Sequence, residues 1–177
     1  MTSRGGVRTP VELVAGLLLC ALIMYGCGGG GTSSSSASGG PEALATRVGK
    51  AKAASVPFTE LTATRVQLGR QCFRVVVDDT EPEREEGLRA RADLGSYEGM
   101  LFSFPAPTNV GFTMSGTLVP LTIGLYARDG RRVDGFRMTP CPGDDASCPV
   151  YRASGAFSYA VETTAERLPS GGLGPCG

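Results

Sequence analysis

The chain has 177 residues, 41% of them hydrophobic, and its seventeen Lys and Arg balance seventeen Asp and Glu. That length fits one domain with extensions, and a zero net charge leaves no bulk field to gather nucleic acid. There is no His, which excludes Ser-His-Asp and Cys-His nucleophiles, zincin-type His pairs and His-ligated haem. The only lysines, Lys50 and Lys52, precede the expected domain and leave it no Schiff-base or general-base lysine.

Arg4 and Arg8 stand before an uncharged apolar run from Leu13 through Gly26. At fourteen residues the run falls short of the roughly 20 that a membrane-spanning helix needs, and it reads as the core of a signal peptide over 1–26. It ends Leu22-Ile23-Met24-Tyr25-Gly26-Cys27, which resembles the bacterial lipobox, with Met24 and Tyr25 as departures. Cys27 is therefore the expected lipidation site, and the mature chain is expected outside the cytoplasm, anchored to the bacterial cell membrane. An ordinary secretory signal and an uncleaved anchor are the competing readings.

Residues 28–40, GGGGTSSSSASGG, form a flexible coil with a reach of roughly 20 Å. An Ala-rich stretch follows, in which Leu44 and Val48 lie four apart, the spacing of a weak helix within a linker. The segment 27–55 reads as a tether. Loss of Arg4, Arg8 and Glu12 with the signal leaves fifteen positive and sixteen negative charges.

From residue 56 to residue 177 the dominant period is two. Strands are predicted at 64–68, 72–78, 100–104 and 111–114. In 121–127 the residues Leu121, Ile123, Leu125 and Ala127 alternate with polar ones, giving one buried face. Asp129-Gly130 supplies a hairpin turn. Parity then changes between Val133 and Phe136, which predicts a bulge at Gly135. A last strand over 157–163 places Phe157, Tyr159 and Val161 on one face, with Glu162 turned away. Thr80 and Glu83 form a capping-box pattern with Pro82 in the first turn. This predicts a helix to about Arg91, with a Glu85–Arg89 pair outside and Leu88 inside. The acids Glu81, Glu83, Glu85 and Glu86 suit the start of that helix better than a metal or catalytic cluster. The fold class is mostly β, at the margin of α+β: a compact, partly closed β-barrel or sandwich of short antiparallel strands with one short helix.

With Cys27 acylated and Cys20 lost, four cysteines remain, and an even set in an exported domain predicts two disulfides. Cys141 and Cys148 bracket a short run of turn formers and are expected to close on each other, leaving Cys72 to meet Cys176. A four-cysteine zinc site would lack paired C-x2-C knuckles, and no C-x-x-C redox pair occurs. Asp144 and Asp145 fall short of a calcium shell and read as a polar turn. No cofactor or metal is expected.

Glu86-Gly87-Leu88, Gly99-Met100-Leu101-Phe102-Ser103-Phe104, Met114 through Leu121, Asp129-Gly130, Met138 with Pro140-Cys141, and Val161-Glu162 together resemble the domain of unknown function 192 family (DUF 192) over about 72–173. The resemblance implies a compact, mostly β domain, often exported, without an agreed activity. Family members usually carry Asp where Thr122 stands, and often an aromatic and an Asn where Thr113 and Gly116 stand. Met114, Thr117 and Pro120 persist as a candidate recognition surface, Thr117 through its hydroxyl and Met114 as an adaptable apolar contact. The bland alternative buries Met114 in the core and uses Thr117 to close a turn. Glu162 matches a family position; a cross-strand contact with an Arg such as Arg128 is its structural alternative.

These residues point to non-catalytic binding of an unidentified ligand or envelope protein, with no catalytic residues assigned. A carboxylate-dependent hydrolase of envelope carbohydrate is the alternative, since two acids at roughly 5 to 10 Å suffice for it. Asp78, Asp79, Asp134 and Glu162 are its candidate acids, although a chain without Trp is poorly supplied with the aromatic platforms of sugar grooves.

Overall fold

The computed structural model describes residues 41–48 and 50–176. The expected signal peptide, Cys27 and the Gly/Ser-rich part of the tether lie outside the described residues.

Among the described residues ten strands and two short helices follow one another: α1 (Pro41–Val48), β1 (Lys52–Ala53), β2 (Thr62–Leu68), β3 (Gln71–Asp78), α2 (Glu81–Glu86), β4 (Gly99–Thr108), β5 (Phe112–Thr113), β6 (Leu121–Tyr126), β7 (Arg132–Met138), β8 (Val150–Tyr151), β9 (Phe157–Thr163) and β10 (Leu173–Pro175). The fold is mostly β. Eight strands make one sheet in the order β1-β2-β3-β4-β9-β6-β7, with β10 also paired to β2, and β5 and β8 form a separate ribbon. Among the described residues the large sheet does not close into a barrel, since β7 has no strand paired on its far side. Nor is it wholly antiparallel. β3 and β4 run parallel, Val75 opposite Gly99 through Asp78 opposite Phe102, a pairing that requires a crossover, here residues 79–98 with α2.

The sheet is covered on both faces. On one side Val76, Met100, Phe102, Leu121, Ile123, Leu125 and Met138 pack with Phe58, Leu88, Tyr97 and Met114. On the other Val75, Val77, Leu101, Tyr126, Tyr159 and Val161 pack with Leu44, Val48, Leu168 and Leu173. This double cover explains why every residue of β6 and β9 is buried, where alternation in β6 predicts only one buried face. Gly124 and Thr122 turn to the second face, and Thr122 donates its hydroxyl to the carbonyls of Ala165 (2.7 Å) and Glu166 (3.2 Å). The residue standing in place of the family's Asp thus pins the segment after β9. The packed body also begins ahead of Val56: Leu44 and Val48 are buried, and the Arg47 guanidinium donates to the Cys176 carbonyl.

Four local expectations change. The helix stops at Glu86, because Gly87 takes φ +52° and its N–H bonds the Glu83 carbonyl at 2.8 Å. Leu88 is buried as expected but lies beyond the helix, and Arg89 binds Asp145 rather than Glu85. The bulge in β7 falls at Val133, since Asp134 opposes Leu125 and Arg132 opposes Tyr126 while Gly135 stays in register with Gly124. Phe157 leaves the face of Tyr159 and Val161, because β4 slips between Ser103 and Thr108 and carries Phe157 to the first core. In the β6–β7 turn, Gly130 has φ +80°, and a Cβ there would lie 2.0 Å from the Leu173 carbonyl oxygen. Only Gly lets the C-terminal strand approach so closely.

Candidate functional site

β4 lies between β3 and β9, so Asp78, Phe102 and Glu162 project from one face of the sheet, Phe102 opposite both Asp78 and Ala160. Over this face runs a cleft of about 1050 Å³. α2 and the following Gly87-Leu88-Arg89 form one wall, Val110 to Thr113 the other, and Phe102, Phe104, Thr117, Asp145 and Glu162 complete the lining. The phenyl rings pack edge to face, Phe102 against Phe112 at 5.5 Å and Phe104 against Phe157 at 5.5 Å. Aromatic platforms are therefore present after all, supplied by Phe. The spacing of Phe102 and Phe104, two apart on a strand, carries that signal in the sequence.

Glu162 is 5% exposed, and burial pushes its carboxyl up to about 8. At neutral pH it is mostly protonated and can donate a hydrogen bond into the cleft. Its strand neighbours are Met100 and Ile123. Arg128 does not reach it, donating instead to the Pro105 carbonyl at 2.6 Å, so the expected cross-strand pair is absent. Asp78 is 1% exposed, and neither carboxyl oxygen has a hydrogen-bond partner. Burial first, then the charges of Glu83, Glu162 and Glu86, push it up to about 8. It lines not the cleft but a smaller cavity of about 180 Å³ between α2 and Leu61, Glu60 and Arg91.

The rim cations are engaged. Arg84 donates to the carbonyls of Asp79 and Ser103 and lies 5.1 Å from the Phe104 ring. Arg89 holds Asp145 at 2.8 Å, and Thr113 donates to the same carboxylate at 3.0 Å. Arg89 and then Thr113 keep Asp145 below the usual carboxylate range. Asp145 belongs to the loop closed by the Cys141–Cys148 disulfide, so this residue of an expected polar turn in fact ties the loop to both cleft walls. Cys72 is bonded to Cys176.

Of the four candidate contact residues, Thr117 and Glu162 both line the cleft. Met114 is 1% exposed within the first core, and Pro120 is exposed but does not line the cleft. Among the described residues no helix is long and apolar enough to cross a membrane.

The profile of the family DUF192, described as Uncharacterized ACR, matches residues 63–175, well over half of the chain. The chain belongs to the DUF192 family. The matched segment spans every strand that carries the cleft. A crystal structure of a protein of unknown function from Novosphingobium aromaticivorans DSM 12444 is similar at 25% identity and a TM-score of 0.57. The match covers 68% of this chain and 89% of that one. A putative transcription regulator from Sinorhizobium meliloti 1021 shares the fold at 24% identity and a TM-score of 0.50, over 59% of this chain and 82% of that one. No curated protein matches.

Proposed function

We propose that this DUF192 chain is a lipid-anchored extracytoplasmic domain that binds a ligand in the cleft over Glu162 and performs no chemistry on it. One observation carries the reading: the cleft combines phenyl walls with a single buried carboxyl, and burial alone accounts for that carboxyl's raised pKa. The acid coupled to Glu162 is Asp78, whose pKa the charge of Glu162 raises, and a hydrolytic pair at roughly 5 to 10 Å must share one substrate cleft. Asp78, the other buried acid, opens into a different cavity. Aromatic side chains joined to a few convergent polar groups that fix orientation are a usual form of a binding site. The lipobox-like Met24-Tyr25-Gly26-Cys27 and the Gly/Ser tether support the anchor, and the two disulfides suit an oxidising compartment.

The hydrolase reading keeps one support, since an acid protonated at neutral pH suits general acid catalysis. Chromogenic glycosides assayed with wild type and Glu162→Gln separate the two. The binding reading expects no turnover by either; turnover lost in the variant with its fold intact would establish the enzyme. Mass analysis of the natively isolated N-terminus is expected to show a diacylglyceryl Cys27, and an unmodified start elsewhere would remove the anchor.

A further inference from the structure

The cleft's charges are unbalanced. Beside Glu162 the lining carries Glu81, Glu85, Glu86 and Asp145 with Arg84 and Arg89; Glu86 pairs with Arg91 and Asp145 with Arg89, which leaves Glu81 and Glu85 against Arg84, an excess of one negative charge, and both arginines are already engaged with carbonyls, a phenyl ring and Asp145. An anionic ligand finds no unengaged cation in this lining. Glu162, which lines the cleft, is more than nine-tenths buried and makes no hydrogen bond with the described protein, so its carboxyl is left to a partner from the cleft. A ligand that brings N–H donors and positive charge would satisfy it. Phenyl rings attract such a charge through their negative faces. Among the described residues no group of three or more Asp, Glu or Cys is placed to hold a metal ion, which favours an organic cation.

We propose that the cleft's ligand is a small organic cation, a primary ammonium on a short apolar stem. Glu162 and the Thr117 hydroxyl take the ammonium hydrogens, and Phe102 and Phe112 pack on the stem. The inference rests on the cleft-binding reading and adds the ligand's charge and donor requirement to it. A quaternary ammonium fits less well, because it leaves Glu162 and Thr117 without a donor.

The test is a titration of the full chain with n-butylammonium, 1-butanol, butyrate and butyltrimethylammonium, read by NMR shifts of Thr117, Phe112 and Glu162. n-Butylammonium is expected to bind at least about tenfold tighter than the other three, and Glu162→Gln to abolish that margin while leaving 1-butanol unchanged. If 1-butanol or butyltrimethylammonium binds as tightly, the ammonium is refuted and cleft binding stands. If no probe shifts the cleft, both fail.

A second measurement needs no variant. The charges facing Glu162 come from α2 (Glu81, Arg84, Glu85, Glu86), from Arg89, from Asp145 and, across β4, from Asp78. Burial keeps Glu162 protonated up to about 8, so a cation must displace its proton. Affinity for n-butylammonium should rise about tenfold from pH 6 to pH 7 and level off above pH 8, with 1-butanol flat. A flat n-butylammonium profile would overturn the proposal.

Discussion

Asp78 and Glu162 project from the same face of the sheet on either side of β4, and both resist ionisation. For stability the sign follows from the direction of the shift. An acid whose folded pKa lies above its unfolded value holds a proton in the folded state that the unfolded chain has released, so stability falls as pH rises between the two values. For Asp78 that window runs from 3.8 to about 8. Asp78→Asn removes the titration while keeping the shape. The variant should be more stable than wild type at pH 8, by an amount on the order of a few kcal/mol, with the advantage shrinking toward pH 4. Urea midpoints at the two pH values measure it, and equal midpoints at pH 8 would show that Asp78 ionises freely.

α2 spans six residues and buries none of its side chains, so its ends rather than its face hold it. Thr80 and Glu83 form a capping box, in which the Glu83 carboxylate accepts from the backbone N–H groups of Thr80 and Asp79. Burial works against Glu83, yet these bonds outweigh it and lower its pKa. Thr80→Ala should cost about 1 kcal/mol, read as a lower urea midpoint, and should broaden signals of the cleft wall that α2 forms; an unchanged midpoint would mean that Arg84, through Ser103, anchors the helix instead. The capping box was legible because it is local chemistry at fixed spacing. So were the strands of period two, the Phe157–Thr163 limits among them. The helix end was not, since a glycine after Glu86 can continue a helix or cap it, and only the φ of +52° that Gly87 adopts decides between them. The second core escaped the sequence because it is built by distant segments: Gly124 and Thr122 read as a polar face until Leu168 and the segment after β9 cover them. The cleft was half legible. Thr117 and Glu162 stood out as polar groups, but Arg89 and Asp145 are 56 residues apart, and no periodicity joins them.

At the scale of the molecule, the two disulfides close very different loops, with sequence separations of 104 and 7. If each acts mainly by restricting the unfolded chain, the cost of removal scales with the logarithm of loop length, roughly 4 to 5 kcal/mol for the long loop and 2 to 3 for the short one. Cys72→Ser with Cys176→Ser should therefore lower the urea midpoint more than Cys141→Ser with Cys148→Ser. The consequences for structure should run the other way round. The long bond fixes β10 against β2, and through the Cys176 carbonyl it holds Arg47 of α1, all on the sheet face away from the cleft. The short bond shapes the loop whose Asp145 joins Arg89 to Thr113 across the cleft mouth. Losing the long bond should speed amide exchange in β10 while leaving cleft signals unchanged. Losing the short one should shift Thr113 and Arg89 at the smaller of the two costs in stability. If removal of the short bond left both residues unmoved, Asp145 would hold its place through its ion pair alone, and the loop's closure would contribute only to stability.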